Sequence, residues 1–343
     1  VPGVVQLDFA RADGVPYYHY ADNYKQFGWM KDKFYTYRTS FAMPALKAGQ
    51  RLWFVSRGID YEFDILLNGE VIHSQEGMFT YVELDLTDRL TSYNILEIKV
   101  MPVPKTVPYP SDRSQASAFA KPPVSYGWDW HPRLVPLGIW DDTYIEARME
   151  SYLEDVYVDY DLSDSFDSAE ISVMVLAAVS GEAKYSWTLK DARGKTVASA
   201  SGNMEPGMKV SYTLGKPNLW WSHDHGEPYL YESEFLLLDS RGMAIDSRKS
   251  KVGFRRVRLI MNEGGWADDD FPKGPSVSPI QLELNGRPVF AKGTNWVNPE
   301  IFPGTITAER YRELLLPAVE ANFNMLRVWG GGIVNKEPFY DLC

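Results

Sequence analysis

The sequence predicts a mainly β fold: a jelly-roll β-sandwich and an immunoglobulin-like β-sandwich, followed by the first βα units of a truncated (β/α)8 barrel. Three observations lead to this prediction. Short apolar or alternating segments separated by turn residues recur through residues 1–256, which is the pattern of half-buried strands. The one convincing helical pattern begins only at Thr307. Strand-like segments lie on both sides of that helix, in the order expected of a parallel α/β unit.

Residues 1–148 form the first predicted domain, the jelly roll. Its clearest strands are residues 52–55, Glu62–Leu67 and 96–100, which are rich in β-forming side chains. The dipeptide Asn68-Gly69 stands between two such segments. It predicts a two-residue hairpin, because a type I′ turn needs positive φ at both of its central positions.

A long irregular excursion interrupts this domain at residues 103–126. It is rich in Pro, Ser and Ala and shows no strand alternation. Loops of this length inside a compact domain are usually functional or disordered. The excursion leads directly into residues 127–133, whose sequence is GWDWHPR.

The second predicted domain, residues 149–256, is an immunoglobulin-like sandwich. Regular short strands within about a hundred residues favour that fold. The predicted strands are residues 156–160, 169–176, 185–190, 209–214, Tyr231–Asp239 and Ala244–Val252. Predicted turns separate them at residues 192–194, 201–203 and 240–242.

The third predicted domain, residues 257–343, is the start of the barrel and is incomplete. A hairpin around Asn285-Gly286 runs into the segment GTNW at residues 293–296. The helix at Thr307 has a good N-cap residue, and the strand Met325–Val328 and the opening turns of a second helix follow it. A complete barrel needs eight such units and about 250 residues, and this segment has room for about two.

Composition excludes several classes of function. A net charge of −11 repels phosphate backbones and argues against nucleic acid as a partner. No segment has the roughly 20 apolar residues that a membrane span needs. The sequence predicts no cofactor and no metal: the group from His223 to His225 lacks a third ligand in view. The acidic run from Asp268 to Asp270 lacks the spacing of a calcium loop, so we expect it to be a solvated face.

The sequence GWDW at residues 127–130 is the most informative motif. Two tryptophans beside a carboxylate are poor turn material and too bulky for an arbitrary loop. One interpretation is a sugar contact, in which Asp129 accepts hydrogen bonds from hydroxyls and a tryptophan packs on the ring. The other is a loop packed onto its own sandwich, with Asp129 capping backbone N–H groups. The residues alone leave both interpretations open.

A second motif, RVWGGG at residues 327–332, follows a predicted barrel strand. Active sites of (β/α)8 barrels lie at the carboxyl ends of the strands. Arg327 could orient a carboxylate through a bidentate pair, and Trp329 would stand at the edge of the site. The glycines would let the backbone approach a ligand, although a packed glycine-rich turn explains the same pattern. Asn295 and Trp296, after the preceding predicted strand, are candidates by the same argument.

These motifs together resemble glycoside hydrolase family 2, and specifically its β-mannosidase branch. The resemblance covers essentially the whole chain. Its most specific parts are the loop GWDW, with His131 in place of the usual glycine, and the run NMLRVWGGG. The supporting segments are VPGVV at 1–5, GID through LNG at 58–69, GIW at 138–140, LWW at 219–221, GFR at 253–255 and GTNW at 293–296.

The resemblance implies a retaining, exo-acting enzyme that removes terminal β-linked mannose with two glutamates. In the family those glutamates come from later barrel strands, so we expect this chain alone to contain no catalytic residue and to be inactive. The implied substrate-binding residues are Trp128, Asp129, Asn295, Trp296, Arg327 and Trp329. Another family 2 specificity (galactose, glucuronic acid or glucosamine) and a non-catalytic carbohydrate-binding protein are the alternatives.

Two further expectations concern the setting of the protein. The unpaired strands of an incomplete barrel would favour self-association or local disorder. The sequence does not determine the cellular compartment. It is compatible with an extracytoplasmic protein of periplasmic or lysosomal type whose leader is absent.

Overall fold

The computed structural model describes residues 1–109, 111–205, 207–263 and 280–343. The run from Asp268 to Asp270 therefore lies outside the described residues. The chain divides into two compact units. The first unit comprises Val1–Arg148, Asn295–Pro317 and Arg327–Cys343, and the second comprises Met149–Thr294 and Ala318–Leu326.

The first unit begins with one helix, α1, and continues as strands in three sheets. The elements are α1 (Val5–Asp13), β1 (Tyr35–Ala42), β2 (Gln50–Ser56), β3 (Ile59–Asp60), β4 (Glu62–Leu67), β5 (Glu70–Glu76), β6 (Val82–Asp85), β7 (Tyr93–Val100), β8 (Gly138–Ile139) and β9 (Thr143–Met149). The sheets have the strand orders β1-β7-β4-β5, β6-β2-β9 and β3-β8. Alternate side chains of β4 and β7 point into one apolar core, as a period of two requires.

The predicted hairpin between β4 and β5 is confirmed. Leu67 pairs with Glu70, and the two residues between them, Asn68 and Gly69, have φ values of 54° and 85°. Positive φ at both positions is what a type I′ turn requires.

The prediction of strands and turns throughout residues 1–148 is wrong for helix α1. Tertiary contacts stabilise this helix at its start: the Val5 amide donates to the Leu137 carbonyl at 3.0 Å. The buried side-chain amide of Gln6 donates to the Val135 carbonyl at 2.7 Å. Gly14 ends the helix with φ 69°, and its amide bonds to the Ala10 carbonyl, which is a common helix C-terminus.

The second unit is a sandwich of a three-stranded and a four-stranded sheet, with a further three-stranded sheet. Its strands are β10 (Tyr152–Leu162), β11 (Ser168–Ala178), β12 (Ala183–Lys190), β13 (Thr196–Asn203), β14 (Lys209–Gly215), β15 (Tyr231–Asp239), β16 (Ala244–Val252), β17 (Val257–Met261), β18 (Ile280–Leu284) and β19 (Arg287–Val289). The sheets have the orders β10-β11-β14, β13-β12-β15-β16 and β17-β18-β19. The core between the first two contains Trp187 and Phe235, and the Trp187 ring N–H donates to Ser233 at 2.9 Å.

The predicted turn at residues 201–203 is wrong, because β13 continues to Asn203 and pairs there with Lys184. Gly202 lies in the strand for a packing reason. A Cβ atom at Gly202 would stand only 3.1 Å from the Tyr185 ring, so the ring covers the space that a side chain would need.

The remaining elements are β20 (Gly293–Trp296), α2 (Ala308–Glu320), β21 (Met325–Val328) and α3 (Glu337–Leu342). β20 and β21 are neighbours in a two-stranded sheet. Met325 donates to the Lys292 carbonyl and Trp329 to the Trp296 carbonyl, so both strands run in the same direction. The Thr307 hydroxyl accepts from the Arg310 amide at 3.1 Å, which confirms the predicted N-cap of α2.

Within the described ranges, no helix has both the length and the apolar character that crossing a bilayer demands.

Candidate functional site

Residues 128–131 form a tight turn that presents two side chains at its tip. Backbone hydrogen bonds join Trp128 and His131 in both directions, at 3.0 and 3.2 Å. Asp129 and Trp130 occupy the two positions between them and are exposed. The Asp129 side chain is 87% exposed, so it points away from the sandwich core.

A buried ion pair fixes both ends of the segment that carries this turn. The Lys121 ammonium contacts both carboxylate oxygens of Asp60 and donates to the Pro136 carbonyl at 2.9 Å. The two side chains are 0% and 2% exposed. Burial disfavours both charges: it raises the pKa of Asp60 and lowers that of Lys121, against their mutual attraction. Residues 122–135 are therefore anchored where they leave and rejoin the domain.

The turn lies against Trp329, which belongs to the same unit. The ring centroids of Trp128 and Trp329 are 5.2 Å apart, and those of Trp130 and Trp329 are 5.7 Å apart. We call Trp128, Trp130 and Trp329 the tryptophan cluster. The two predicted motifs, GWDW and RVWGGG, are thus brought together by contacts between their rings.

An arginine that the sequence analysis missed lies beside Asp129. The Arg113 guanidinium stacks over the Trp128 ring at 3.9 Å and lies 3.6 Å from the Asp129 carboxylate. This pair is exposed, so water screens it and its contribution to stability is small. Arg113 lies within the predicted excursion, but no pattern around it distinguished it from the other arginines.

Asn295 and Arg327 lie side by side on β20 and β21. The Arg327 guanidinium donates to the Asn295 side-chain oxygen at 3.1 Å, and both residues are exposed. The Asn295 side chain is neutral, so this contact does not offset the positive charge of Arg327. The guanidinium can therefore still donate to a further acceptor.

Trp296 differs from the other predicted residues, because its ring is buried. It is 8% exposed, its ring N–H donates to Asn335 at 3.1 Å, and it packs on Tyr311 and Phe339. The structure gives this side chain a packing role beneath β20.

The glycines after Trp329 make room for the protein's own side chains. A Cβ atom at Gly331 would lie 2.3 Å from the Trp329 ring, and one at Gly332 would lie 2.3 Å from the Asn298 side-chain oxygen. That oxygen accepts from the Ile333 amide at 2.7 Å. These two glycines therefore allow the loop to fold around Trp329, which is a structural reason for the GGG run.

A cavity of about 260 Å³ opens beside the tryptophan cluster. This is near the small end of ligand pockets, which are about 300–1,000 Å³. The residues of its wall that bear on chemistry are His19, Trp130, His131, Glu300, Arg310 and Trp329. The cavity combines aromatic rings with hydrogen-bonding groups.

The cavity wall includes the titratable side chains of His19, His131 and Glu300. The Glu300 carboxylate accepts from the Arg310 guanidinium at 2.7 Å, and His19 lies 3.9 Å from it. His131 is buried, its Nδ1 lies 2.7 Å from the Pro132 carbonyl, and none of the described residues bonds to its Nε2. Burial lowers the pKa of His131, with a weaker opposing effect of that carbonyl.

The arrangement suits an uncharged, hydroxyl-bearing ligand. Aromatic faces pack against apolar ring surfaces, and carboxylate or imidazole acceptors receive hydroxyl protons. Across the part of the chain that the structure describes, no three His, Cys, Asp or Glu side chains come close enough to hold a metal ion.

Comparison with known proteins identifies the family. A model of the galactose-binding-like domain of family 2 glycosyl hydrolases matches residues 1–141, and a second family 2 model matches residues 151–255. The chain belongs to glycoside hydrolase family 2. It is 30% identical to β-mannosidase B of Aspergillus flavus over 335 residues, which are 92% of this chain and 38% of that protein. It is also 30% identical to the β-mannosidase of Rattus norvegicus, over 96% of this chain and 39% of that protein.

Solved structures agree with this family 2 assignment. The β-D-mannosidase of Dictyoglomus thermophilum superposes with a TM-score of 0.86 at 30% identity, covering 100% of this chain and 43% of that one. The exo-chitosanase of Amycolatopsis orientalis gives a TM-score of 0.72 at 19% identity, covering 99% of this chain and 38% of that one; it shows a shared fold alone. The chain thus spans about two fifths of the length of these relatives.

Proposed function

We propose that this family 2 chain is the N-terminal portion of a retaining, exo-acting β-mannosidase that removes terminal β-linked mannose. The observation that carries the proposal is the contact of the turn bearing Asp129 with Trp329. It gathers two motifs from distant parts of the chain into one exposed, aromatic and hydrogen-bonding surface. The named β-mannosidases to which the chain is 30% identical support the choice of mannose.

Five of the predicted residues form the proposed substrate surface. Asp129 accepts hydrogen bonds from sugar hydroxyls, and Trp128 and Trp329 offer aromatic surface to the ring. Arg327, held by Asn295, donates to a sugar oxygen. Trp296 supports this surface from beneath β20, since its ring is buried.

We propose a jelly-roll sugar-binding domain at residues 1–148, an immunoglobulin-like domain at residues 149–256, and the start of a (β/α)8 barrel at residues 257–343. The parallel neighbours β20 and β21, with α2 between them in the chain, are what the first barrel unit requires.

The catalytic glutamates, in this proposal, lie outside the 343 residues. Retaining hydrolysis needs a nucleophile and an acid–base carboxyl about 5–5.5 Å apart. The match to about two fifths of each relative supports their location in the remaining part. The chain alone is then inactive and contributes substrate binding.

The test is hydrolysis of an aryl β-mannoside by this chain and by the product of the whole gene. We expect turnover, with retention at the anomeric carbon, only from the whole product. Turnover by the 343-residue chain would refute the location of the glutamates, and inversion would refute the retaining mechanism. Faster hydrolysis of the matched β-galactoside, β-glucuronide or β-glucosaminide would refute the choice of mannose.

A further inference from the structure

Arg113 places a positive charge beside Asp129 without forming a hydrogen bond to it. The closest guanidinium nitrogen of Arg113 lies 3.6 Å from the Asp129 carboxylate, beyond the roughly 2.7–3.2 Å of an N–H···O hydrogen bond. The two charges attract each other at this distance, and the pair uses no lone pair of the carboxylate. Asp129 can therefore be oriented by Arg113 and still accept hydrogen bonds from hydroxyl groups.

The backbone of Arg113 is held in place by a short 3-10 helix, Arg113–Ala116. The Asp112 carboxylate caps this helix, accepting from the Ser114 amide at 2.9 Å and from the Ser114 hydroxyl at 2.6 Å. Gln115 is only 1% exposed, and its side-chain amide donates to two backbone carbonyls at 2.7 and 2.9 Å. These bonds involve no atom of the Arg113 side chain, so replacing that side chain should leave the helix intact.

The side chain of Arg113 is held against the ring of Trp128. Its guanidinium carbon lies 3.9 Å from the ring centroid, which is a cation–π contact, and Trp329 meets the same ring edge-on at 5.2 Å. A guanidinium is planar and stacks on aromatic faces, whereas the ammonium of a lysine is a compact point charge. The stack closes one face of Trp128 to a sugar ring and fixes the positive charge beside Asp129.

We propose that Arg113 is a positioning residue, which holds the Asp129 carboxylate by charge in the orientation that accepts hydroxyl groups of the sugar. The inference rests on the proposed function, because it concerns how Asp129 binds the terminal mannose. The Asp129 side chain is 87% exposed, and a ligand that must order a mobile side chain binds more weakly. Arg113 reduces this ordering cost before the sugar binds. It acts on the sugar through Asp129 and makes no contact of its own with the ligand.

The experiment measures the Kd of methyl β-D-mannoside for the 343-residue chain by calorimetry. We expect Arg113→Met to raise this Kd about twofold to fivefold, the range that corresponds to the energies of exposed ion pairs, with an unchanged unfolding midpoint in urea. Arg89→Met is the matched control, because Arg89 is 51% exposed and lies 3.7 Å from Glu70, against 48% and 3.6 Å for Arg113. The control should leave the Kd at the wild-type value.

Salt separates positioning by charge from simple support of the Trp128 ring. The Debye length falls from about 10 Å at 0.1 M salt to about 3 Å at 1 M, so concentrated sodium chloride weakens the attraction between Arg113 and Asp129. It should bring the Kd of the wild type close to that of Arg113→Met, whose own Kd should hardly change. Arg113→Lys keeps the charge without the flat stack, so its Kd should lie below that of Arg113→Met. A wild-type Kd that is independent of salt, or equal Kd values for the two variants, overturns the role of charge.

A double-mutant cycle tests whether Arg113 acts through Asp129. Asp129→Asn keeps the shape of the side chain and removes its charge, so adding Arg113→Met to it should raise the Kd no further. Losses that multiply in the double variant would show that Arg113 acts on the sugar independently of Asp129, and they would overturn the positioning role.

The outcomes separate this inference from the proposed function. Mannoside binding that Asp129→Ala abolishes and Arg113→Met leaves unchanged overturns the inference and leaves the proposed function standing. Absence of mannoside binding to the wild-type chain overturns the proposed function and the inference with it. If Arg113→Met lowers the unfolding midpoint, the salt dependence of the wild-type Kd still decides the question.

Discussion

Removing one partner of the buried pair of Lys121 and Asp60 should destabilise the first unit strongly, because the other charge is then buried without a partner. Lys121→Met removes the ammonium and leaves a carboxylate that is 2% exposed without its partner. Breaking a buried pair on one side costs about 3–5 kcal/mol, a large part of the roughly 5–15 kcal/mol that stabilises a typical protein. The variant should therefore unfold at a much lower urea concentration than the wild type.

A double variant tests the electrostatic reason for this loss. Lys121→Met combined with Asp60→Asn removes both charges, so it should be more stable than Lys121→Met alone. The exposed pair of Lys25 and Asp22, 2.7 Å apart, supplies the control. Lys25→Met should leave the urea midpoint unchanged, because water screens exposed pairs.

The assay is urea unfolding followed by tryptophan fluorescence, together with limited proteolysis of residues 122–135. Lys121→Met should speed cleavage within this segment, since the ion pair anchors both of its ends. If Lys121→Met lowers the free energy of unfolding by less than about 1 kcal/mol and leaves proteolysis unchanged, the pair contributes no more than a surface ion pair. That result would contradict the cost expected for a buried carboxylate without its partner.

Three further changes test the local arguments. Burial lowers the pKa of His131 below 6.5, so the unfolded chain binds that proton first; stability from this group is fully present above about pH 6.5 and lost as pH falls. His131→Phe should flatten the dependence of the unfolding free energy on pH in that window, and an unchanged slope would contradict the assignment. Thr307→Ala removes the hydroxyl that caps the Arg310 amide and should cost about 1 kcal/mol in urea unfolding; no loss would mean that water replaces the cap. Gly332→Ala should displace the Asn298 side chain, whose oxygen stands 2.3 Å from the new Cβ position, and cost about 1–3 kcal/mol; wild-type stability would show that Asn298 moves aside freely.

Local sequence patterns predicted most strands, because their signals lie within a few residues. Tyr231–Asp239, Ala244–Val252 and Met325–Val328 have the predicted bounds. Alternation of apolar residues and turn dipeptides such as Asn68-Gly69 act over short distances. The helix α1 was missed because its stability comes from contacts with residues 135 and 137, far along the chain.

The same limit explains what could be predicted of the candidate site. The motifs containing Asp129 and Trp329 were visible, since unusual residues cluster within a few positions. Lys121 was not recognised, because its partner Asp60 is 61 residues away. The burial of Trp296 was equally invisible, since the rings that cover it come from α2 and α3.

His131 shows how a departure from a motif can carry information. In the sequence, His131 is distinguished only as a substitution within GWDWHPR. The structure adds the bond of its Nδ1 to Pro132 and the lack of a partner for its Nε2 among the described residues. The structure also places His131 in the wall of the same cavity as Glu300 and Trp329.

Calorimetry can measure directly whether Asp129 binds the sugar, by comparing the binding of methyl β-D-mannoside to the 343-residue chain and to its Asp129→Ala variant. Asp88→Ala is the matched control, because Asp88 is also exposed, at 81%, and ion-paired to an arginine. We expect the wild type and Asp88→Ala to bind the mannoside with equal affinity. We expect Asp129→Ala to lose at least about tenfold in affinity, while its unfolding midpoint stays unchanged. Equal binding by wild type and Asp129→Ala would contradict the central claim that the turn at residues 128–131 holds the sugar.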